Sequence, residues 1–396
     1  MNYYEQRSEV MIAEIIKSAS KLEDCLSQGN DSNFPSIHPE KTHFDRYKEL
    51  EKKFKDFPVE IGALVSEVEE WIASTRKKAE ELLNSEDAET DTTEFLRIFD
   101  NDPIIFLNKH EGKHTLKVQE CALELLNCFE NCDLNYYELY FLMCAIVVHD
   151  IGNISGRKGH EHEVKHILDT QCSSIIPDSV ERRTIARIAR AHGGKVGENK
   201  DTISYLFEET TINKIVIRER LLAAILRFAD ELADDSSRAN YAAMESEAIT
   251  NASLIYHIYS ASLHTVRLQK NEVNNTYEVS LAYEFDTDKA CTKYNKIGFE
   301  KYLVDEIYER TLKMDRERRY CIRYLRPYVP IERIKVQITI TNSRDEFDYY
   351  PITYTLEENG YPAELVASIK DLDSKIKSGK ELFEELYERG LCNVKG

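Results

Sequence analysis

The segment YFLMCAIVVHDIG, residues 140–152, decides the fold prediction. Its apolar run from Tyr140 to Val148 is typical of a buried helix and is too short for the roughly 20 residues that a membrane span requires. The run ends on His149 and Asp150, two side chains whose burial costs free energy unless a charged partner meets them. The segment therefore predicts a buried helix that carries two metal-ligating side chains to one site.

Helical spacing of apolar residues continues on both sides of this segment. The patterns predict helices near residues 114–126, 135–150, 160–170, 179–191 and 217–234. Further upstream, similar patterns near residues 11–16 and 60–83 predict an N-terminal helical region, and an acidic stretch at 85–94 predicts a linker.

After about residue 250 the pattern changes to period-two alternation. This alternation predicts strands at 276–285 and 331–340, with partners at 254–268 and 351–356, and a helix at 297–324 separates the pairs. Asn274-Asn275 is the predicted turn between the first two strands. The order ββαββα suggests a small α+β sandwich.

The whole chain is thus predicted to be mainly α. We expect an N-terminal helical region at 1–95, an all-α helical bundle at 96–248 that contains the site, and a small α+β domain at 249–396.

Composition limits the possible partners. The formal net charge of −19 argues against sequence-independent binding of a nucleic-acid backbone, which requires a basic face, but it allows a local basic pocket. The nine cysteines are scattered without a CxxC motif, which predicts reduced thiols. With no long apolar run, the sequence predicts a cytoplasmic protein that has no membrane partner.

Other metal-capable side chains lie at intervals along the helical region. They are His114 before the His149-Asp150 pair, and His160, His192 and Asp230 after it. A site with two metal ions needs several neutral imidazoles and a carboxylate that can bridge, and Asp150 suits the bridging role. His162 is the alternative to His160 as a ligand.

This ordered set resembles the metal-binding pattern of the HD superfamily of phosphohydrolases. The phrase His149-Asp-Ile-Gly152 is similar to the dyad that names the family, His114 opens a helix as the first histidine of the family does, and Asp230 is placed like its last aspartate. Members with two metals have two additional histidines in between, where this chain has His160 and His192. The resemblance implies a helical HD domain over roughly residues 100–245 and metal-dependent phosphoester hydrolysis.

One branch of that superfamily is a further match. The string Gly159-His-Glu-His-Glu163 is similar to the Gly-His-x-Gly-Glu segment of the deoxynucleotide triphosphohydrolases, although Asn153 stands where that branch usually has a histidine.

Charged residues near the ligand positions suggest the remaining roles. Asp150, Glu163 and Lys158 are the predicted catalytic residues, and the predicted substrate-binding residues are Arg157, Arg187, Lys195 and Arg238. The cofactors implied are divalent metal ions, two in number, from among Mn, Fe, Mg, Ni, Co and Zn.

The first hypothesis is a phosphohydrolase or phosphodiesterase that uses a metal-activated hydroxide on a linear or cyclic nucleotide. The alternatives are a deoxynucleotide triphosphohydrolase, a metal-dependent nuclease, and a non-catalytic nucleotide sensor or scaffold. Long helices and an appended domain also suggest a homo-oligomer or a component of a larger complex.

Overall fold

The computed structural model describes only part of the chain. The described residues are 43–55, 112–129, 134–151, 160–196, 199–239, 241, 244, 251–296, 299–342, 348–358 and 367–392. The helices predicted near 11–16 and 60–83 and the linker predicted at 85–94 lie outside these ranges.

Helices make up the first part of the described chain. They are α1 (His43–Lys55), α2 (Gly112–Asn127), α3 (Tyr136–Val148), α4 (His160–Gln171), α5 (Ser179–Arg190) and α6 (Glu219–Leu232). A hairpin of β1 (Thr210–Ile212) and β2 (Ile215–Ile217) lies between α5 and α6.

Helix α3 is the centre of this helical part. A capping box starts the helix, because the Asn135 side chain accepts from the backbone N–H of Glu138 while the Glu138 carboxylate accepts from the N–H of Asn135. Residues 140–148 are all buried, and α3 packs against α1, α5 and α6. The predicted buried helix is confirmed.

The second part of the described chain contains most of the strands. Its elements are α7 (Asn251–Ser262), β3 (Leu263–Asn271), β4 (Thr276–Asp286), α8 (Thr287–Cys291), β5 (Lys293–Lys296), β6 (Phe299–Tyr302), α9 (Leu303–Leu325), β7 (Ile331–Thr341), β8 (Asp348–Glu357) and α10 (Gly379–Glu388). Short 3₁₀ turns lie at Ile203–Tyr205, Ser236–Arg238 and Ile369–Asp371.

A four-stranded mixed sheet organises this part. Its order is β3-β4-β7-β8, in which β4 and β7 pair in parallel and the outer pairs are antiparallel. The residues Ile334, Val336 and Ile338 of β7 are buried at alternate positions, and α9 packs against this strand. Helix α9 also packs against α6, so it connects the sheet to the helical part.

The prediction of a mainly α protein is wrong. Strands make up 22% and helices 54% of the described residues, and they form three sheets, so the fold is α+β. One of those sheets is the β1–β2 hairpin, which interrupts the predicted all-α bundle. Its turn residues Asn213 and Lys214 have φ values of 50° and 68°, a primed turn without the glycine that usually marks one.

Two element predictions in the C-terminal part also fail. The strand predicted at 254–268 is helix α7 up to Ser262, because Leu254, Ile255, Ile258 and Tyr259 follow helical spacing rather than alternation. The helix predicted from residue 297 begins only at Leu303, after strand β6. The predicted turn at Asn274-Asn275 is confirmed, and Asn275 has a φ of 53°.

The cysteine prediction fails for one pair. A disulfide joins Cys291, at the end of α8, to Cys392, just after α10. The two cysteines lie 101 residues apart in sequence, so no local spacing pattern indicates their pairing. Among the described residues, no helix is long and apolar enough to cross a membrane.

Candidate metal centre

Four helices bring their ends or faces together around the His149-Asp150 pair. His114 lies in the first turn of α2, His149 and Asp150 follow the end of α3, His192 follows the end of α5, and Asp230 lies on α6. His114 and His149 are buried, whereas the side chain of Asp150 is 23% exposed and that of Asp230 is 28% exposed. The carboxylates therefore form the part of the cluster that a ligand can approach.

The distances within the cluster are short. Nε2 of His114 lies 3.1 Å from Oδ1 of Asp230, and Nε2 of His149 lies 3.7 Å from the same oxygen. On its other side, Asp150 places Oδ2 3.6 Å from Nε2 of His149 and Oδ1 3.5 Å from Nε2 of His192. One ligand atom from each of His114, His149 and Asp150 lies within 4.8 Å of the others.

Backbone hydrogen bonds determine which ring nitrogen faces the carboxylates. Nδ1 of His149 lies 2.7 Å from the carbonyl oxygen of Ile146, and Nδ1 of His192 lies 2.6 Å from that of Ala189. A carbonyl oxygen can only accept, so each Nδ1 carries the proton. In the neutral rings, Nε2 is then the atom with the lone pair, which is the arrangement that metal-ligating histidines adopt.

The environment of His149 Nε2 is the test of whether a metal ion fits. This atom is buried and has no hydrogen-bond partner among the described residues, although two carboxylate oxygens lie within 3.7 Å. A lone pair that faces two carboxylates is repelled by them, and a cation between these groups removes the repulsion. The donor set of imidazoles and carboxylates fits a divalent transition metal.

The pKa shifts within the cluster agree with this conclusion. Burial lowers the pKa of His149, but the charges of Asp150 and Asp230 outweigh burial and raise the pKa to about 9. Burial raises the pKa of Asp230, but the hydrogen bond with His114 and the nearby imidazole of His149 outweigh it and hold that pKa well below its usual value. The cluster therefore stabilises positive charge, as a proton or as a metal ion, at the position between these side chains.

The predicted ligands are thus largely brought together. Five of them, His114, His149, Asp150, His192 and Asp230, are linked by distances of 3.1 to 3.7 Å between imidazole nitrogens and carboxylate oxygens. His160 is the first residue of α4, but the side chains of His160 and His162 lie outside the described residues, so the choice between them stays a prediction.

The other predicted site residues are more scattered. Arg157 and Lys158 lie outside the described residues, and Glu163 is half-buried on α4. Arg238 contacts Asp234, with 3.4 Å between Nη1 and Oδ1. Lys195 is exposed just beyond His192.

Arg187 already has a strong partner. Its guanidinium forms a two-point ion pair with the carboxylate of Glu219, which is completely buried. Much of the charge of this arginine is therefore shared within the protein.

A supporting network next to His192 is not evident from the sequence. Nη1 of Arg227 donates to Oγ1 of Thr202 at 2.9 Å, and that hydroxyl donates to the carbonyl oxygen of Ala191 at 2.7 Å. On its other edge, Arg227 pairs with Glu317 of α9, with 2.7 Å between Nε and Oε2. Arg227 lies one turn before Asp230, which is its only local indication, and Glu317 has none because it is 90 residues away.

Comparison with known proteins gives one match. The HD-CE family model matches residues 90–311, a region that contains all the predicted ligands. It gives no support to the deoxynucleotide triphosphohydrolase branch. No curated protein and no solved structure matches the chain. Because the match covers more than half of the sequence, the chain belongs to the HD-CE family.

Proposed function

We propose that this protein is an HD-type, metal-dependent hydrolase that cleaves a phosphoester or phosphoanhydride bond of a nucleotide. The observation that carries the proposal is the convergence of ligand atoms from His114, His149 and Asp150 within 4.8 Å. Membership of the HD-CE family supports a hydrolase of the HD type. The nucleotide and the reaction are the parts that the experiment must test.

The side chains that would hold the metal are those of the cluster. They are His114, His149, Asp150, His192 and Asp230, with His160 as a sixth ligand predicted from the sequence. A bound divalent cation would lower the pKa of water and polarise a phosphoryl oxygen, which are the two requirements of phosphoester hydrolysis.

Asp150 supports the proposal of two metal ions. One of its oxygens faces His149 and the other faces His192, so this carboxylate lies between two imidazoles. A carboxylate that presents one oxygen to each side is suited to bridge a pair of cations. Asp230 lies on the side of His149 and His114, which completes a second group of donors.

Other residues of the chain orient these groups. The backbone carbonyls of Ile146 and Ala189 hold the His149 and His192 rings in one tautomer and one direction. The half-buried Glu163 remains our candidate for a group that carries a proton to or from the leaving group. The net charge of −19 favours a small anionic substrate over a polymer.

The experiment combines metal analysis with a product profile. Purified protein is analysed by inductively coupled plasma mass spectrometry and then incubated with linear and cyclic nucleotides while phosphate, pyrophosphate and triphosphate are measured. We expect about two transition-metal ions per chain and hydrolysis that a chelator abolishes. The phosphate product identifies the bond that is cleaved.

A pair of variants makes the experiment specific. Asp150→Ala should lose metal and at least a thousandfold in kcat, because a bridging ligand is removed. Asp373→Ala removes an exposed aspartate outside the cluster and should change neither quantity. If Asp150→Ala retains full metal content and hydrolysis, the proposal is wrong.

A further inference from the structure

A cleft lies beside the segment that carries His192. Its cavity has a volume of about 230 Å³, and its wall includes Ala191 and Gly193, the two neighbours of His192 in the chain. Small-molecule sites usually occupy roughly 300–1,000 Å³. A cavity slightly below that range can hold part of a nucleotide but not a folded polymer.

Cationic side chains surround this cleft. Arg187, Arg190 and Lys195 all line it, and Arg190 and Lys195 are exposed at its rim. Arg190 and Lys195 are the exposed cations of the cleft lining, so an incoming anion meets these two side chains first. Two exposed cations at one cleft stand out in a chain with a net charge of −19, and they attract an anionic ligand to this position.

The cleft is also lined by apolar and aromatic residues. Tyr205 and Leu206 line the cleft, and the Tyr205 side chain is 62% exposed. The next aromatic residue, Phe207, is 58% exposed, and the Arg187 guanidinium lies 5.4 Å from its ring centroid. Exposed aromatic rings beside cations are suited to stack on a flat base whose phosphates pair with the cations.

Hydrogen bonds to neighbouring elements hold one part of the cleft wall in position. Thr202 lines the cleft, and its hydroxyl donates to the carbonyl oxygen of Ala191 and accepts from Arg227. The Tyr320 hydroxyl donates to Asp201 at 2.7 Å and accepts from the N–H of Ile203 at 2.9 Å. These bonds fix residues 201–203 against the helix end that carries His192, so less ordering is required when a ligand binds.

We infer that this cleft is a nucleotide-binding site in which Arg190 and Lys195 bind the phosphates and Tyr205 stacks on the base. The inference rests on the proposed function in one respect, namely that the nucleotide bound in the cleft is the substrate hydrolysed at the metal centre. Binding itself can be measured without turnover, because the cleft contains none of the predicted metal ligands.

The test is equilibrium binding in the presence of a chelator. N-methylanthraniloyl derivatives of ATP and GTP are titrated with the protein, and fluorescence anisotropy gives the Kd. Reversal of both rim charges, Arg190→Glu with Lys195→Glu, should raise the Kd at least tenfold, and Tyr205→Ala should raise it about tenfold.

Two matched controls separate the cleft from general surface effects. Lys200→Glu reverses an exposed charge on the same segment but outside the cleft wall, and Tyr387→Ala removes a tyrosine that is 61% exposed elsewhere. Both should retain the Kd of the unmodified protein. If neither nucleotide binds, or if the rim and control variants change the Kd equally, the inference is overturned.

A third variant separates this inference from the proposed function. Asp150→Ala should retain nucleotide binding in the chelator while it loses hydrolysis, which supports both statements. Normal binding at the cleft without hydrolysis by any metal-loaded protein would support the cleft and contradict the hydrolase. If the rim-reversal variant hydrolyses the nucleotide with the same KM as the unmodified protein, the inference about the cleft is overturned while the proposed function stands.

Discussion

Buried carboxylates occur in two kinds of surroundings in this molecule. Glu138, at the start of α3, is completely buried, and Arg218 meets both of its oxygens at 2.7 and 2.6 Å. Asp150 and Asp230, near the other end of α3, have imidazoles as the ion-pair partners that the structure describes. One helix therefore connects a carboxylate paired with an arginine to a cluster of carboxylates that face imidazoles.

This difference shows what each site requires. An arginine is charged at every pH at which the protein is folded, so the Glu138 pair is complete within the chain. A histidine whose Nδ1 donates to a backbone carbonyl is neutral unless Nε2 gains a proton or a metal ion. The charge balance of the cluster around His149 therefore depends on whether its imidazoles bind a proton or a metal ion, whereas that of the Glu138 site does not.

Removal of the arginine that is paired with Glu138 should have the largest effect on stability. Arg218→Met leaves the Glu138 carboxylate buried and without its cation, and we expect the free energy of unfolding to fall by about 3–5 kcal/mol. Urea denaturation followed by circular dichroism measures this loss. The double variant that adds Glu138→Met should recover part of it, because no unpaired charge remains although the backbone N–H groups of Asn135 and Arg218 lose their acceptor. A loss below 1 kcal/mol for the single variant would show that this pair is not essential.

Glu306 is a second buried carboxylate that is paired with cations, and it should make the free energy of unfolding depend on pH. The expected contribution is somewhat smaller than the loss caused by Arg218→Met. Burial raises the pKa of Glu306, but bonds from Lys296 and Lys301 and the charge of Arg310 outweigh it and lower the pKa to about 2. Because the folded-state pKa lies below the usual value of 4.5, the stabilisation is present above pH 4.5 and is lost as the pH falls towards 2. The contribution is on the order of 3 kcal/mol.

The Glu306→Gln variant tests this contribution. Its free energy of unfolding should depend less on pH between 4.5 and 2 than that of the unmodified protein. The exposed Glu388→Gln change is the control and should leave the slope unaltered. Equal slopes in all three proteins would exclude Glu306 as a source of acid sensitivity.

The sequence predicts the grouping of the candidate ligand residues better than it predicts the fold around them. The dyad is predictable because an apolar run that ends on His149-Asp150 is a local pattern, and His114, His192 and Asp230 each lie at or near the end of a helix with clear periodicity. The ring orientation is not predictable, because the bonds from Nδ1 to Ile146 and Ala189 depend on backbone geometry at the helix ends.

The C-terminal part shows where sequence patterns are insufficient. The segment 254–262 is short and apolar, so helix and strand are hard to distinguish by periodicity alone, and tertiary contacts with β5 and α9 accompany the helix. The disulfide and the Arg227–Glu317 pair join residues 101 and 90 positions apart. Partners that are so distant in sequence have no local pattern to indicate them.

Metal addition should have the smallest of these effects on stability and is the direct test of the contrast along α3. A ligand that binds only the folded state at 100 times its Kd stabilises a protein by about 2.7 kcal/mol. Titration with Mn²⁺ should therefore raise the Tm until the site is saturated, and a chelator should reverse the increase. Asp230→Asn should weaken or abolish the effect, because it removes a carboxylate from the cluster.

Arg218→Met should start from a lower Tm but gain a similar stabilisation, because the two sites lie at opposite ends of the helix and should contribute independently. A cluster that gains no stability from Mn²⁺, Zn²⁺, Fe²⁺ or Ni²⁺ would be compensated by the proton on His149 instead, and the contrast with Glu138 would be one of pKa rather than of metal binding.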